Sequence, residues 1–306
     1  MGRGRLGESN RLGRLLSEWL ICFRYDGFAG REVLEDDSFL RPVLFMTNGA
    51  TDMKISGISF LNPAIWTNFI TYSKNIAFDN VRIDAYTINE NDNKNTDGFD
   101  SYNVNGLSVT NSEIDVGDDC YSAKANSSNI FIQNVWCNNT HGLSMGSLGQ
   151  YPGVQDLIED SYFENITMIN ASNGARIKAW AGPNVGYGAV RNITWKNMYI
   201  DNVDLPIVID QCYFNVNETT CAQYPSSVDI SDIVFENFYG QSSGENGDVV
   251  AQLICGPDAV CENITLRDIN ITSPNDDAGE PLVVCDGIRG EVGVPCVSAS
   301  ETEDLD

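Results

Sequence analysis

A nine-residue pattern of polar and apolar positions recurs eight times along the chain. It reads polar-x-x-apolar-x-Asn-apolar-x-apolar, and successive copies start 23 to 40 residues apart. Apolar residues alternate within each copy, as in β-strands, and no long 3.6-residue period separates the copies. A regular repeat of short strands predicts a solenoid. The first apolar residues of the copies are Ile55, Phe78, Val109, Ile132, Phe163, Trp195, Phe235 and Leu266.

Two polar columns accompany the repeat and indicate tight corners. Asn, Asp and Gly tolerate left-handed φ, and an Asn can hydrogen-bond to the Asn on the next coil. We therefore predict an all-β fold, a right-handed parallel β-helix whose longer spacings are loops inserted into a coil. One column is Gly57, Asn80, Asn111, Asn134, Asn165, Asn197, Asn237 and Asp268. The other is Asp52, Asn75, Gly106, Asn129, Asp160, Asn192, Asp232 and Asn263.

The solenoid is expected to cover residues 25–297, without a linker or a second domain. Residues 1–24 differ in character, because they hold five of the 18 basic residues and the odd cysteine, Cys22. Our hypothesis is that this stretch is a mispredicted start, which replaces a signal peptide and the first coils. Residues 298–306 are an acidic tail that we expect to be disordered. The alternative for the first stretch is a helix that caps the core with Leu12, Leu15, Leu16, Trp19 and Leu20.

The net charge of the chain limits the kinds of molecule that it can bind. The formal net charge is −25, and such a surface repels nucleic acid. No apolar run approaches the roughly 18–20 residues of a membrane span. We expect neither a nucleic-acid nor a membrane partner, and a monomer in solution. A site for an acidic substrate must then carry its own cations, because the rest of the surface repels anions.

Cysteines and glycosylation sequons indicate a secreted, extracellular protein. Eight of the nine cysteines form short-range neighbours that we predict as disulfides, although spacing alone cannot fix connectivity. No CxxC spacing is present, which argues against zinc. The predicted pairs are Cys120/Cys137, Cys212/Cys221, Cys255/Cys261 and Cys285/Cys296. Asn-x-Ser/Thr sequons begin at Asn126, Asn138, Asn165, Asn170, Asn192, Asn217, Asn263 and Asn270.

Three sequon residues also belong to the corner columns. They are Asn165, Asn192 and Asn263. A buried ladder Asn cannot carry a glycan, so we expect some of these sequons to stay unmodified.

Four short motifs follow successive repeats and carry the candidate chemistry. Adjacent coils lie about 4.8 Å apart, so the motifs are expected to meet on one side of the solenoid. Arg176 and Lys178 are two residues apart and share a strand face. The motifs are Asn95-Thr96-Asp97, Gly117-Asp118-Asp119, His141-Gly142 and Arg176-Ile177-Lys178.

The three carboxylates favour hydrolysis of a bond next to an anionic sugar. Like charges at Asp97, Asp118 and Asp119 raise at least one pKa, which leaves a proton donor beside ionised carboxylates. Hydrolysis of a glycosidic bond needs both kinds of group: a protonated carboxyl group as the acid and an ionised carboxylate as the base. A single Asp-Asp dipeptide is usually only a solvated turn, and three Asp residues can also bind a metal. The neighbouring cations argue against a metal.

The basic residues have two interpretations each. His141, the only histidine, can orient a carboxylate or bind substrate, and its position does not decide between them. Arg176 and Lys178 can be an ordinary surface pair. In so acidic a chain, beside three Asp residues, they are better interpreted as a clamp for a sugar carboxylate.

These residues resemble a known family. Asn95-Thr96-Asp97-Gly98, Gly117-Asp118-Asp119-Cys120, His141-Gly142-Leu143-Ser144 and Arg176-Ile177-Lys178 are similar, in order and spacing, to the signature motifs of the pectin-degrading polygalacturonases, glycoside hydrolase family 28. The resemblance covers residues 25–290. Two further stretches look most like the fungal exo-acting members, Gly146-Ser147-Leu148-Gly149-Gln150-Tyr151 and Asp210-Gln211-Cys212-Tyr213.

The resemblance implies a pectin-lyase-like solenoid that hydrolyses α-1,4-linked galacturonate from the non-reducing end with inversion. It implies Asp118 as general acid, Asp97 and Asp119 as activators of water, and His141 as support for the acid. Arg176 and Lys178 would bind substrate carboxylates, without a cofactor or metal. Many members carry an aromatic residue where this chain has Leu205-Pro206, and Tyr213 is the substitute that the sequence offers.

Two alternatives stay open. One is another enzyme of the same class: an endo-polygalacturonase, or a rhamnogalacturonan or xylogalacturonan hydrolase. The other is a non-catalytic β-helix that binds pectin or acts as an adhesin. A binding protein has no need for three clustered Asp residues, which favours an enzyme.

Overall fold

Parallel strands stacked in register make up almost all of the structure. The computed structural model describes residues 21–24, 41–86, 93–214, 217–256, 260–274 and 280–302. About 66% of the described residues are in strands, and the chain winds as a right-handed parallel β-helix. The predicted fold class is therefore confirmed.

The strands and helices follow one another in a simple order. The strands are β1 Ile21–Arg24, β2 Phe45–Asn48, β3 Thr51–Leu61, β4 Asn68–Thr71, β5 Lys74–Asp84, β6 Phe99–Tyr102, β7 Val104–Asp115, β8 Tyr121–Ala123, β9 Ser127–Asn138, β10 Leu143–Leu148, β11 Gln155–Trp180, β12 Tyr187–Tyr213, β13 Ser227–Ser242, β14 Val249–Ile254, β15 Cys261–Thr272 and β16 Leu282–Asp286. The helices are α1 Glu218–Gln223 and α2 Ala299–Thr302.

Each coil contributes to two parallel ladders. The first ladder runs through β1, β3, β5, β7, β9, the first half of β11, the first half of β12, β13 and β15. The second runs through β2, β4, β6, β8, β10, the ends of β11 and β12, β14 and β16. Strands β11 and β12 are long because they pass from one ladder to the other without a break. The candidate motifs lie on the second ladder.

The register of the first ladder confirms the sequence repeat. Ile55 pairs with Phe78, and every later member of the apolar column pairs with the next. Phe163, Trp195 and Phe235 are fully buried and stack, with ring centroids 5.4 Å and 5.0 Å apart. Burying each such side chain contributes roughly 1.5–3 kcal/mol, so this column supports the core along its length.

The polar columns form the corners, as predicted. Every member of both columns has a positive φ, for example 56° at Asn134. The side-chain amide of Asn134 donates to Asn111 Oδ1 at 3.0 Å and accepts from Asn165 Nδ2 at 3.2 Å. Left-handed backbone costs an ordinary L-residue roughly 1–2 kcal/mol, which explains why Asn, Asp and Gly occupy these positions.

The assumption that the sequon residues in the corners are buried is wrong. Asn165, Asn192 and Asn263 are exposed, because the corner columns face solvent, and that some of these sequons stay unmodified remains a prediction. Their amides are nevertheless engaged: Asn192 Nδ2, for instance, donates to Asp160 Oδ1 at 2.6 Å.

The four predicted cysteine pairs are present as disulfides: Cys120–Cys137, Cys212–Cys221, Cys255–Cys261 and Cys285–Cys296. In the described part of the chain, none of the helices is long and apolar enough to cross a membrane.

The ends of the chain add detail to the expected boundaries. Within residues 1–24 the structure describes 21–24, which form strand β1 and pair in parallel with β3, Ile21 opposite Ile58. The leucine stripe proposed as a cap lies outside the described residues. In the tail expected to be disordered, α2 is helical, and residues 303–306 lie outside the described residues.

Candidate active site

Backbone hydrogen bonds between neighbouring coils bring the motifs together. Gly98 N donates to Asp119 O at 2.9 Å, and His141 N donates to Asp118 O at 2.9 Å. The three motifs that precede β6, β8 and β10 are thereby held side by side. Arg176 and Lys178 follow on the end of β11, opposite Ser144 and Gly146 of β10. The six predicted site residues therefore lie on adjacent coils of the second ladder.

A glycine permits the close approach of the coils beside His141. Gly142 has a φ of 94°, and a Cβ there would lie 2.5 Å from Gly174 O. Any larger residue would push the His141 coil away from the next one. The glycine of the His-Gly motif thus has a packing reason.

Asp118 and His141 form a pair at the mouth of the cleft. His141 Nδ1 lies 3.1 Å from Asp118 Oδ1, and Asp118 Oδ2 accepts from Asn95 N at 3.2 Å and Asn95 Nδ2 at 3.3 Å. Burial opposes ionisation of Asp118, but the His141 hydrogen bond and charge prevail and hold its pKa at about 2. The hydrogen bond to Asp118 raises the pKa of His141 above its usual value. One proton therefore resides on the histidine side of this pair.

Asp119 is more deeply buried than Asp118, and each of its carboxylate oxygens accepts a hydrogen bond. Its Oδ2 accepts from Lys178 Nζ at 2.7 Å, and its Oδ1 accepts from Ser144 Oγ at 2.6 Å. The side chains of Lys178 and Asp119 are 7% and 2% exposed. Lys178 is thus already paired with a carboxylate of the protein, which differs from the simple substrate clamp expected from the sequence. The pair places a cation directly against a buried carboxylate.

Asp97 is the carboxylate that holds a proton most readily. It is 2% exposed, and its Oδ1 has no hydrogen-bond partner among the described residues. Burial, then the nearby charges of Asp100 and Asp118, raise the pKa of Asp97 well above its usual range. The expected split of pKa values within the cluster is present, but the raised member is Asp97 rather than Asp118.

Arg176 is placed beside an aromatic ring. Its Cζ lies 5.2 Å from the centre of the Tyr213 ring, and Lys178 Nζ lies 5.6 Å from the same centre. The Arg176 Nε is buried and lacks a hydrogen-bond partner within the described chain. Tyr213 therefore places an aromatic ring beside both cations.

A cavity of about 740 Å³ opens next to the Asp118–His141 pair. Its wall includes Lys94 and Tyr86, from opposite ends of the insertion before β6. Arg41 ties this wall to the core, with Nη1 donating to Lys94 O at 2.7 Å and Nη2 donating to Asn95 Oδ1 at 2.9 Å. The cavity has room for a sugar unit beside the two residues that share a proton.

Metal binding by the three carboxylates was the alternative chemistry. One oxygen from each of Asp97, Asp118 and Asp119 lies within 4.8 Å of the others, a spacing that could hold a cation. Lys178 and His141, however, are bonded to oxygens of Asp119 and Asp118. Protein cations thus neutralise much of the charge that would attract a metal.

Sequence reasoning assigned no role to several residues that touch the cluster. Ser144 and Asn95 stand inside the motifs, yet their contacts with Asp119 and Asp118 depend on the register of the coils. Lys124 Nζ lies 3.2 Å from Asp100 Oδ1 and 4.0 Å from Asp97 Oδ2. A signal for Lys124 was available: strand alternation from Tyr121 places it, like Ser122, on the outward face.

Comparison with known proteins supports the family resemblance. Residues 32–291 match the family model described as glycosyl hydrolases family 28. The chain is 58% identical to probable exopolygalacturonase B of Emericella nidulans, over 90% of this chain and 62% of that protein. It is 56% identical to exopolygalacturonase B of Aspergillus niger, over 90% and 62%. The chain thus spans less than two thirds of the length of these relatives.

Solved structures agree on the architecture. Endo-xylogalacturonan hydrolase from Aspergillus tubingensis superposes with a TM-score of 0.82 at 32% identity, covering 86% of this chain and 70% of that one. A polygalacturonase from Erwinia carotovora superposes with a TM-score of 0.60 at 21% identity, over 81% and 60%. The second likeness concerns the fold alone. Given the family match over most of its length and the high identity of its relatives, the chain belongs to glycosyl hydrolases family 28.

Proposed function

We propose that the protein hydrolyses α-1,4-galacturonosyl linkages of polygalacturonate from the non-reducing end. The observation that carries this proposal is the cluster of Asp97, Asp118 and Asp119 within 4.8 Å, beside Arg176 and Lys178. Carboxylates supply acid and base, and the cations counter a substrate that the net charge of −25 would repel. Relatives named exopolygalacturonase, 56–58% identical, support the exo-acting form.

Asp118 and His141 act together as the general acid. In the free protein Asp118 is ionised and His141 carries the shared proton, because each stabilises the charge of the other. Bound substrate excludes water and adds anionic groups, both of which raise the pKa of Asp118. The proton then moves along the 3.1 Å contact to Asp118 and on to the leaving glycosidic oxygen. His141 thereby supports the acid, as the resemblance implies.

Asp119 and Asp97 activate the water. Hydrogen bonds from Lys178 and Ser144 fix the carboxylate of Asp119, so it can orient a water molecule as an acceptor. Asp97 takes the proton of that water once it is itself ionised. The raised pKa of Asp97 means that this step is favoured toward the upper part of the working pH range.

Arg176 and Tyr213 bind the sugar next to the scissile bond. A guanidinium offers paired donors to a carboxylate, and the Tyr213 ring beside it presents an apolar face to a sugar ring. Lys178 contributes positive charge from its place on Asp119, so a substrate carboxylate near it is attracted without displacing the ion pair.

A second candidate substrate has a specific observation in its favour. The solved structure with a TM-score of 0.82 is an endo-xylogalacturonan hydrolase. Incubation with polygalacturonate and with xylogalacturonan, followed by product analysis over time, separates the candidates. Galacturonic acid alone from the first time point supports exo action on polygalacturonate. Mixed oligomers support an endo enzyme, and binding without any release supports the non-catalytic alternative.

Compartment and assembly complete the proposal. Four disulfides fit an oxidising, extracellular environment, where pectin is encountered. We expect a monomer with polygalacturonate oligosaccharides as its partners. Size-exclusion chromatography with light scattering on the secreted protein measures the mass directly.

A further inference from the structure

We propose that Lys124 and Asp100 are positioning residues that control the ionisation of Asp97 from opposite directions. The inference rests on the proposed function, in which an ionised Asp97 takes a proton from water. Neither residue needs to contact the substrate for this role. Both act through the electric field that they impose on Asp97.

The two buried carboxylates and the partly buried lysine form one group on neighbouring coils. Asp97 and Asp100 lie three residues apart at the start of β6 and are 2% and 0% exposed. Lys124 follows the last residue of β8 and reaches both: its Nζ lies 3.2 Å from Asp100 Oδ1 and 4.0 Å from Asp97 Oδ2. The lysine is thus placed to neutralise either carboxylate.

Two contacts hold Lys124 in this position. Its Nζ donates to Ser122 Oγ at 2.7 Å, and it lies 5.2 Å from the centre of the Trp66 ring. A cation beside an aromatic face and a hydroxyl is fixed in place rather than free to follow solvent. The side chain is 24% exposed, far less than an ordinary surface lysine.

The charges around Asp97 are unbalanced without Lys124. Asp97 faces the carboxylates of Asp100, Asp118 and Asp119, and each of them raises its pKa, whereas Lys124 lowers it. Two of the other cations are bonded to other carboxylates, Lys178 to Asp119 and His141 to Asp118. The third, Arg176, lies beside the Tyr213 ring.

Asp100 works in the opposite sense. Burial raises the pKa of Asp100 to about 6, even though the charge of Lys124 lowers it. Asp97 and Asp100 compete for the same cation, because Lys124 Nζ lies within 4.0 Å of both. When Asp100 is ionised, its charge keeps the proton on Asp97. Loss of that charge would release Asp97 to ionise at lower pH.

The pH dependence of kcat/KM tests the inference, because its acidic limb should shift in opposite directions when Lys124 or Asp100 is replaced. Lys124→Met removes the cation at similar volume, and the acidic limb of kcat/KM on polygalacturonate should move up by about one to three pH units. Asp100→Asn should move the same limb down. Lys124→Arg keeps the charge and should return the limb to its wild-type position. Lys74→Met, at an exposed lysine of β5, is the matched control.

A second readout does not depend on activity. Carboxyl ¹³C NMR of the full chain labelled at aspartate, with the Asp97 signal assigned by Asp97→Asn, follows the titration directly. The midpoint should rise in Lys124→Met and fall in Asp100→Asn. If the wild type releases no sugar, the proposed function fails while this titration still judges the inference. Should Lys124→Met fail to fold, Asp100→Asn and Lys124→Arg still decide.

An unshifted limb and unshifted Asp97 signal in folded variants would overturn the inference. Uniform loss of activity at every pH would then assign Lys124 and Asp100 a packing role only.

Discussion

Lys178 Nζ lies 2.7 Å from Asp119 Oδ2, with both side chains almost completely buried. Breaking a buried ion pair by removing one partner leaves an uncompensated charge in the interior. The pair is therefore part of the stability of the cleft as well as of its chemistry. Variants of Lys178 will change both.

Replacing Lys178 by Met should lower the free energy of unfolding by about 3–5 kcal/mol, because Asp119 loses its counter-charge. Urea unfolding followed by circular dichroism measures the change. Ser144→Ala, which removes only the hydrogen bond to Asp119, should cost about 1–3 kcal/mol. Lys54→Met, at a lysine whose side chain is 66% exposed, is the control and should stay near wild type. Equal stability of Lys178→Met and the control would contradict the buried pair.

The single histidine should titrate above its usual pKa of 6.5, because Asp118 stabilises the imidazolium. Since Asp118 stays ionised down to about pH 2, the pair is intact from there up to the raised pKa of His141. Its contribution to stability is fully present between pH 3.8 and pH 6.5, the ordinary pKa values of the two groups; it is lost as the pH rises through the raised pKa of His141 and as the pH falls through the lowered pKa of Asp118, about 2. Because the chain has a single histidine, NMR of the imidazole can follow its titration through one signal. In Asp118→Asn the midpoint should fall, and an unchanged midpoint would argue against the pairing.

Asp118→Asn should reduce kcat by roughly 10²- to 10⁴-fold while keeping the fold, because general acid catalysis is lost. Circular dichroism and unfolding curves check that the variant is folded. Glu113→Gln, at a carboxylate of β7 that is 65% exposed and does not line the cavity, is the comparison for a charge change alone. Near-wild-type turnover of Asp118→Asn would remove Asp118 from its proposed role.

We propose that hydrolysis inverts the configuration at the anomeric carbon. The spacing of the carboxylates makes the configuration of the product an informative measurement. Inverting hydrolases usually separate their two carboxyl groups by about 6.5–9.5 Å, whereas oxygens here approach within 4.8 Å. Proton NMR of the first product formed reports its anomer. Release of the β-anomer from α-linked polygalacturonate is the expected result. The α-anomer would point to a covalent intermediate on one of the aspartates.

Asn134→Ala should destabilise the solenoid by about 1–2 kcal/mol from the left-handed backbone at φ 56°, and further from two lost ladder hydrogen bonds. Asn134→Gly keeps the backbone freedom and loses only the hydrogen bonds, so it separates the two effects. Thermal or urea unfolding of both variants gives the comparison. Identical losses for Ala and Gly would assign the whole effect to the ladder.

The fold was accessible from sequence because its information is local and repeated. Eight copies of one pattern placed Phe78, Trp195 and their partners on a single buried column, and the Asn columns at its corners. A β-helix returns to the same register on every coil, so a repeat in sequence becomes a stack in space. The convergence of the Asp, His and Arg-Lys motifs follows from the same property.

Only the tertiary structure decided how the charges are arranged within that cleft. It placed Lys178 on Asp119, His141 on Asp118, and Lys124 between Asp97 and Asp100. The sequence by itself determined that the Asp, His and Arg-Lys motifs lie on adjacent coils, because coil register is periodic. Which carboxylate keeps a proton depends on burial and on ångström-scale distances across coils, and no local pattern of residues carries those quantities.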